Sequence, residues 1–472
     1  MMEANTLREV LLENLTAFER LQPLLIVSGG AVLLLLVGTF SRFGQRYGWM
    51  LFGAILLSAL MTVNFSGHTL MGGTLQLTPF NGLIQALLIT FGLLLVLFRE
   101  VRQGEVEYQF LLLSVIVGSL LMTMVRDLVV IYLSVELTSL ASYALTAFSG
   151  RKKGHEAAMK YLLTGAISSA VMIYGISLIF GASGSFLLGE IPAPTGPGLV
   201  GWVLLIGGLL FKVSIVPFHL WVPNTYQMAP TSVVGFFTVV PKIGAFVLLR
   251  AVLHAANSEP LNHLVIALAL ITIILGTFSA ISQKSLKRLL AYAALAHSGF
   301  LLPLVVWPGQ ALQGAFFFYA AIYALMNLAA FYFVAIHERK GDVLLGDLDG
   351  AGSANPLLGG AVVVIMLGLI GLPPTAGFSI KLLLFTEVWG QYQSGESALL
   401  ITYFIVGVLS SAISLYFYFK VPYHYFLMTN EGKVKRLTLR DQLITTFFAA
   451  LLLWCFIQPQ IFDNIVVTIG KP

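Results

Sequence analysis

Charge is scarce in this 472-residue chain: Asp, Glu, Lys and Arg make up 10% of it, against 58% hydrophobic residues and a mean hydropathy of +0.91. A water-soluble globule of this length needs a far more charged surface, so the solvent for most of the chain is lipid. Cysteine is scarcer still. Cys455 stands alone, which excludes an internal disulfide, and no Cys/His cluster has the spacing of a zinc or iron-sulfur site, so any electron transfer takes place in another chain. Gly72-Gly73 and Gly207-Gly208 follow no strand pattern, so they make no dinucleotide fingerprint and read as helix-packing sites or loop turns. The stretch from Glu3 to Arg20 is acidic and amphipathic and lacks the basic region and cleavage site of a secretory signal, so insertion is expected to begin with the first span. A formal charge of +5 and a pI near 9.1 do not indicate nucleic-acid binding, because the basic residues lie in short loops rather than on one amphipathic face. The aromatic residues, 12% of the chain, are scattered as packing and interfacial residues are, not gathered as in a quinone pocket.

What the chain does have is long apolar runs. Segments of about 18 to 25 residues suffice to cross a hydrocarbon core of about 30 Å. Fourteen can be counted: 21–40, 48–66, 79–98, 107–125, 127–148, 157–181, 199–227, 231–255, 260–281, 289–306, 311–336, 356–393, 398–421 and 442–462. Sixteen basic residues fall in loops after odd-numbered spans: Arg42, Arg46, Arg99, Arg102, Arg151, Lys152, Lys153, Lys284, Lys287, Arg288, Arg339, Lys340, Lys433, Lys435, Arg436 and Arg440. Only Arg8, Arg20, Arg126 and Lys471 fall on the other side, so the odd loops are expected in the cytoplasm and both termini outside.

Two spans are too long and contain proline, Pro217 in the seventh and Pro373-Pro374 in the twelfth. Proline removes a backbone donor and clashes with the preceding turn, and the freed polar groups survive in a membrane only beside protein or water. Each break is fourth in a run of five spans, the first in spans four to eight and the second in spans nine to thirteen. An odd number of spans per unit gives the second unit the opposite orientation, as in inverted-repeat transporters. The expected fold is therefore an all-α polytopic membrane protein of about fourteen transmembrane helices, with two inverted five-helix repeats and two broken helices. Its parts are residues 1–106 (three leading helices), 107–255 (first repeat), 260–421 (second repeat) and 422–472 (a cytoplasmic loop and the final helix).

Glu136, Lys212, Lys242 and Lys381 are ionisable residues at membrane depth. A charge at the bilayer centre costs about 2.5–3.5 kcal/mol even on insertion scales, so such residues face cavities, pair with one another or carry ions. One carboxylate cannot neutralise three lysines, which favours a titrating relay over a structural ion pair. His219, just past Pro217, and His297, in line with Tyr292 and Ser298, can exchange protons near neutrality or be ordinary buried histidines. Lys160, four residues after Glu156, is explained by an i,i+4 pair or by snorkelling, and Glu387 is either an exit group or a solvated helix end.

The run Phe211 to Pro223 (FKVSIVPFHLWVP) with Ala229-Pro230-Thr231, the run Ser285 to Gly299 (SLKRLLAYAALAHSG) and the run Gly371 to Lys381 (GLPPTAGFSIK) resemble the proton-conducting membrane subunits of respiratory complex I and the related multisubunit cation/proton antiporters. The likeness covers roughly residues 105 to 425. Within the family the chain most resembles the N-type members, counterparts of mitochondrial subunit 2. It has no long lateral helix at its end, it carries Lys381 where M-type members typically have glutamate, and residues Glu136 to Tyr143 (ELTSLASY) look like the N-type fifth helix. The resemblance implies that Glu136 and Lys212 form an input-side pair, that Lys242 is the central link, and that Lys381 is the lysine of a second channel. It also implies a place in a bacterial cytoplasmic membrane beside an M-type paralogue and small helical subunits. FMN, iron-sulfur clusters and quinone would be held by partner chains, including a peripheral redox arm, and no cofactor or metal by this one. A sodium/proton antiporter subunit without a redox module is the runner-up reading, and a non-conducting scaffold the third.

Overall fold

The structure, a computed structural model, describes residues 17–98, 105–148, 150, 152–338, 342–395, 397–428 and 437–460, with only the backbone of residues 42–45. Most of the stretch from Glu3 to Arg20 lies outside these residues, as do Arg8, Arg99, Arg102, Arg151, Arg339, Lys340, Lys433, Lys435, Arg436 and Lys471 and the side chain of Arg42.

Helices α1 (Gln22–Phe40) and α2 (Arg42–Met61) lead into a small antiparallel hairpin of β1 (His68–Leu70) and β2 (Leu75–Leu77), turned at Gly72 and Gly73 with φ of 62° and 94°. These glycines are thus a loop turn, where only glycine takes such angles freely. The all-α expectation misses the hairpin because strands of three residues carry no readable period of two. There follow α3 (Pro79–Leu94), α4 (Glu105–Met124), α5 (Leu128–Ala147), α6 (Lys152–Ser183), α7 (Gly196–Lys212), α8 (Trp221–Met228), α9 (Thr231–Phe237) and α10 (Val240–Ala256). The second half comprises α11 (Glu259–Ile281), α12 (Leu286–Leu301), α13 (Pro303–Val306), α14 (Gln310–His337), α15 (Ala351–Ala354), α16 (Pro356–Ile370), α17 (Ala376–Gly395), α18 (Ala398–Phe426) and α19 (Leu439–Ile457). Among the described residues eleven helical stretches are long and apolar enough to cross a membrane, and residues 46–61, α7 and α16 are shorter apolar helices. The chain is a multi-pass membrane protein.

The helix ends follow local chemistry. Asp127 opens α5 by accepting from the amides of Val129 and Val130, and Ser285 opens α12 by accepting from that of Arg288. Proline stands in the first turn of α3, α7, α10, α11 and α16, where its missing N–H leaves nothing unpaired. The stretches α9–α10, α12–α13 and α14 are buried along nearly their whole length and form the centre. Around them α1, α5, α18 and α19 turn apolar faces outward, among them Leu33, Leu36, Leu140, Leu409 and Phe447, as a lipid-facing surface requires.

The chain breaks helix after Lys212 and after Ile370. In the first break Ser214 has a φ of 67°, and the amide of Val216 donates to Thr272 Oγ1 of α11 at 3.1 Å in place of an intrahelical partner. In the second, Gly371 ends α16 with a φ of 85°, and α17 restarts so close that a Cβ on Gly377 would overlap the Gly368 carbonyl. Two further interruptions lie at Thr238–Val239, between α9 and α10, and at Leu302, between α12 and α13, inside spans that the sequence reads as continuous.

Candidate functional site

Three lysines sit inside the bundle. Lys212, the last residue of α7, is 4% exposed, Lys242, in the first turn of α10, 2%, and Lys381 on α17 5%. Each finds a neutral oxygen and, among the described residues, no carboxylate within ion-pair distance. Lys212 Nζ donates to Ser139 Oγ of α5 at 3.0 Å. Lys242 Nζ donates to Ser298 Oγ of α12 at 2.9 Å and, at 3.5 Å, to the Ala294 carbonyl. Lys381 Nζ donates at 2.6 Å to the carbonyl of Ile370, which the second break has freed, and lies 5.3 Å from the centre of the Phe300 ring.

His297 connects the last two. It is buried on α12 next to Ser298, within electrostatic reach of both Lys242 and Lys381, and its Nδ1 is 2.9 Å from the Tyr319 hydroxyl of α14. Its hydrogen-bonding neighbour is thus Tyr319, whereas Tyr292, the residue expected in line with it, lies against Arg288. His219 is buried beyond the first break, and among the described residues its Nδ1 has no hydrogen-bond partner.

Glu136 is placed differently from a residue of the interior. It is only half-buried, on a face of α5 flanked by exposed Leu133, Leu137 and Leu140, and it accepts a hydrogen bond from Ser169 of α6. It makes no ion pair with Lys212, although the two are near enough to interact electrostatically. Ser139, one turn from Glu136 on α5, holds Lys212 and itself donates to the Val135 carbonyl at 2.7 Å. Behind this pair the Tyr161 ring of α6 stacks on Trp221 of α8 with centroids 4.1 Å apart, pinning the chain where helix resumes.

Lys160 pairs with Glu156 at 2.6 Å on an exposed face, which is the i,i+4 reading. Glu387 lies part-exposed on α17 and makes no ion pair with Lys381 among the described residues. Two buried cations escape a reading from the sequence. Lys287, counted there as a loop residue, is 1% exposed, since its Nζ meets Glu338 Oε1 at 3.1 Å and the Ala229 carbonyl at 3.2 Å, and Thr231 donates to the same carboxylate. Arg250, 7% exposed on α10, donates to the Trp307 carbonyl at 3.2 Å. Lys287 could have been flagged by its place in the first turn after the Ser285 cap. Its partner, 51 residues away, carries no signal along the chain.

The central arrangement is a row of buried groups that can hold or give up protons: Lys242 bonded to Ser298, His297 next in the chain and within hydrogen-bond distance of Tyr319, and Lys381 within electrostatic reach of His297, while Lys212 stands near Glu136. Among the described residues no group of three or more His, Cys, Asp and Glu residues could hold a metal.

Residues 125–414 match the family model of the NADH:quinone oxidoreductase/Mrp antiporter transmembrane region. A relative from Chloroflexus aggregans, NADH-quinone oxidoreductase subunit N, is 35% identical over 88% of this chain and 88% of its own length. Among solved structures, a chain of respiratory complex I from Thermus thermophilus with bound aureothin is 30% identical, with a TM-score of 0.81 over 94% of this chain and 99% of that one. A chain of the Mrp complex from Dietzia sp. DQ12-45-1b shares the fold with a TM-score of 0.82 over 96% of this chain and 97% of that one, at 18% identity.

Proposed function

This chain belongs to the NADH:quinone oxidoreductase/Mrp antiporter transmembrane family, and from that premise we propose that it carries protons through Glu136, Lys212, Lys242, His297 and Lys381. It is a proton-translocating membrane subunit of an NADH:quinone oxidoreductase, of N type. The relatives named as such share about a third of its residues over most of its length, and the likeness to the Mrp chain extends to fold alone, so the antiporter reading has less support.

The observation that carries the residue assignment is that three lysines at membrane depth are hydrogen-bonded only to neutral oxygens. A structural ion pair explains none of them. Proton exchange at such sites is controlled by burial and by the approach or retreat of a carboxylate, and Glu136 stands near Lys212 without touching it. Among the described residues the Nδ1 of His219 bonds to no group of this row, which gives His219 the weakest claim to a relay role.

On this reading the eleven long apolar stretches and the three shorter apolar helices make fourteen spans, of which α4–α10 and α11–α18 are the two inverted units. The loop between α5 and α6 faces the cytoplasm of a bacterial cell. The chain is a non-redox subunit that works beside an M-type paralogue and small helical subunits, and FMN, iron-sulfur clusters and quinone belong to partner chains.

The test is proton pumping by the native complex, reconstituted in vesicles, with Lys242→Ala in this chain. Pumping per electron is expected to fall at normal complex content. Unchanged pumping per electron would remove Lys242 from the proton path.

A further inference from the structure

On the face opposite the loop between α5 and α6, a cleft of about 640 Å³ opens between the β-hairpin, the turn at residues 187–190 and the end of α10. Arg126, Arg250 and His254 line it, with Gln76, Asn81 and Gln313 as further polar groups. The two guanidinium groups are close enough to repel each other, and His254 lies within reach of both.

Among the described residues nothing neutralises this cluster. Among the described residues neither arginine has a carboxylate within ion-pair distance. Glu190, the one carboxylate on the cleft wall, is exposed and accepts from Ser185 Oγ at 2.5 Å. A guanidinium carries five N–H donors. The side chains here use one each, Arg126 Nε on Gln76 Oε1 at 2.7 Å and Arg250 Nη1 on the Trp307 carbonyl at 3.2 Å. The Nε2 atom of His254 is buried and has no partner among the described residues.

We propose that this cleft binds a phosphate group, as the headgroup of an anionic phospholipid or as the free ion, held by Arg126 and Arg250 with His254 as a further donor. Like charges gathered away from bulk water call for a counter-ion. Of the anions at a membrane surface, phosphate suits paired guanidinium groups best, because its oxygens accept their N–H donors two at a time. The cleft has ample room for a headgroup. None of its residues belongs to the proton row, so the site serves anchoring rather than conduction.

The test uses the intact complex purified from cells carrying R126Q or R250Q in this chain. Two quantities are measured: phospholipid retained after an exhaustive detergent wash, and radiolabelled inorganic phosphate bound by the lipid-depleted complex. Loss of about one retained phospholipid per complex in both variants assigns the site to a lipid. Equal lipid content with phosphate binding in the parent and none in the variants assigns it to the free ion. If neither quantity differs between parent and variants, the proposal is wrong. Should R250Q fail to assemble, R126Q carries the comparison, since its side chain is the more exposed of the two.

Discussion

Lys381 donates from Nζ to the main-chain carbonyl of Ile370 at 2.6 Å, so a side-chain ammonium takes the place that a backbone N–H would have held had α16 continued. The break and the lysine are therefore one device: the bond that tethers the ammonium is left over from the helix.

Lys381→Ala is expected to lower proton pumping per electron while the complex still assembles. The exposed carbonyl of Ile370 costs about 1–3 kcal/mol if nothing replaces the lysine, which a multi-pass protein of this size tolerates. Complex content and pumping, measured together, check this. Normal pumping would take Lys381 out of the proton path.

Glu136 and Lys212 are expected to behave as a switchable pair, since they are near but unbridged and Ser139 holds the lysine meanwhile. Glu136→Gln and Lys212→Ala should each reduce coupled activity without loss of assembly, and the double variant should do no worse than the more damaged single one. A fixed salt bridge predicts poor assembly in each single variant and recovery in the double. Recovery of parental pumping in the double variant would sink the switch.

Lys287 and Glu338 have the opposite character. Their 3.1 Å pair, together with Thr231 and the Ala229 carbonyl, ties α12, α14 and the start of α9 together. Removing one partner of a buried pair costs about 3–5 kcal/mol, and the partial exposure of Glu338 places this pair at the lower end. Lys287→Met should therefore reduce the amount of assembled complex, and Lys287→Met with Glu338→Leu should restore much of it. A Lys287→Met complex present at parental level would show that the pair is dispensable.

Cys455 is the only cysteine and is buried, so cysteines placed at Lys153 or Lys284 report on their own accessibility. Both positions should resist impermeant thiol reagents in intact cells and react in inverted vesicles. Ready labelling from outside would reverse the orientation.

The three lysines were legible because a charge within an apolar run is conspicuous along the chain itself, and the breaks at Pro217 and Pro373-Pro374 because proline cannot donate. The interruption before Lys242 was not. Pro241 stands in the first turn of α10, where proline fits a helix start as well as it disrupts an interior, and the pattern does not say which. The part-exposed setting of Glu136 depends on which face of α5 turns outward. That face is as rich in leucine as a buried one, so hydrophobic pattern cannot identify it in a chain whose solvent is lipid. Lys287 looked like a topology determinant because its counter-charge arrives from the far end of α14.

The perimeter position of Glu136 has a consequence for how the chain is addressed. A carboxylate on the rim, flanked by exposed leucines, feels the field of whatever lies alongside, because screening by mobile ions is weak in so apolar a setting. A charge brought alongside in the plane of the bilayer would change the potential at this one residue before any helix of the chain had moved.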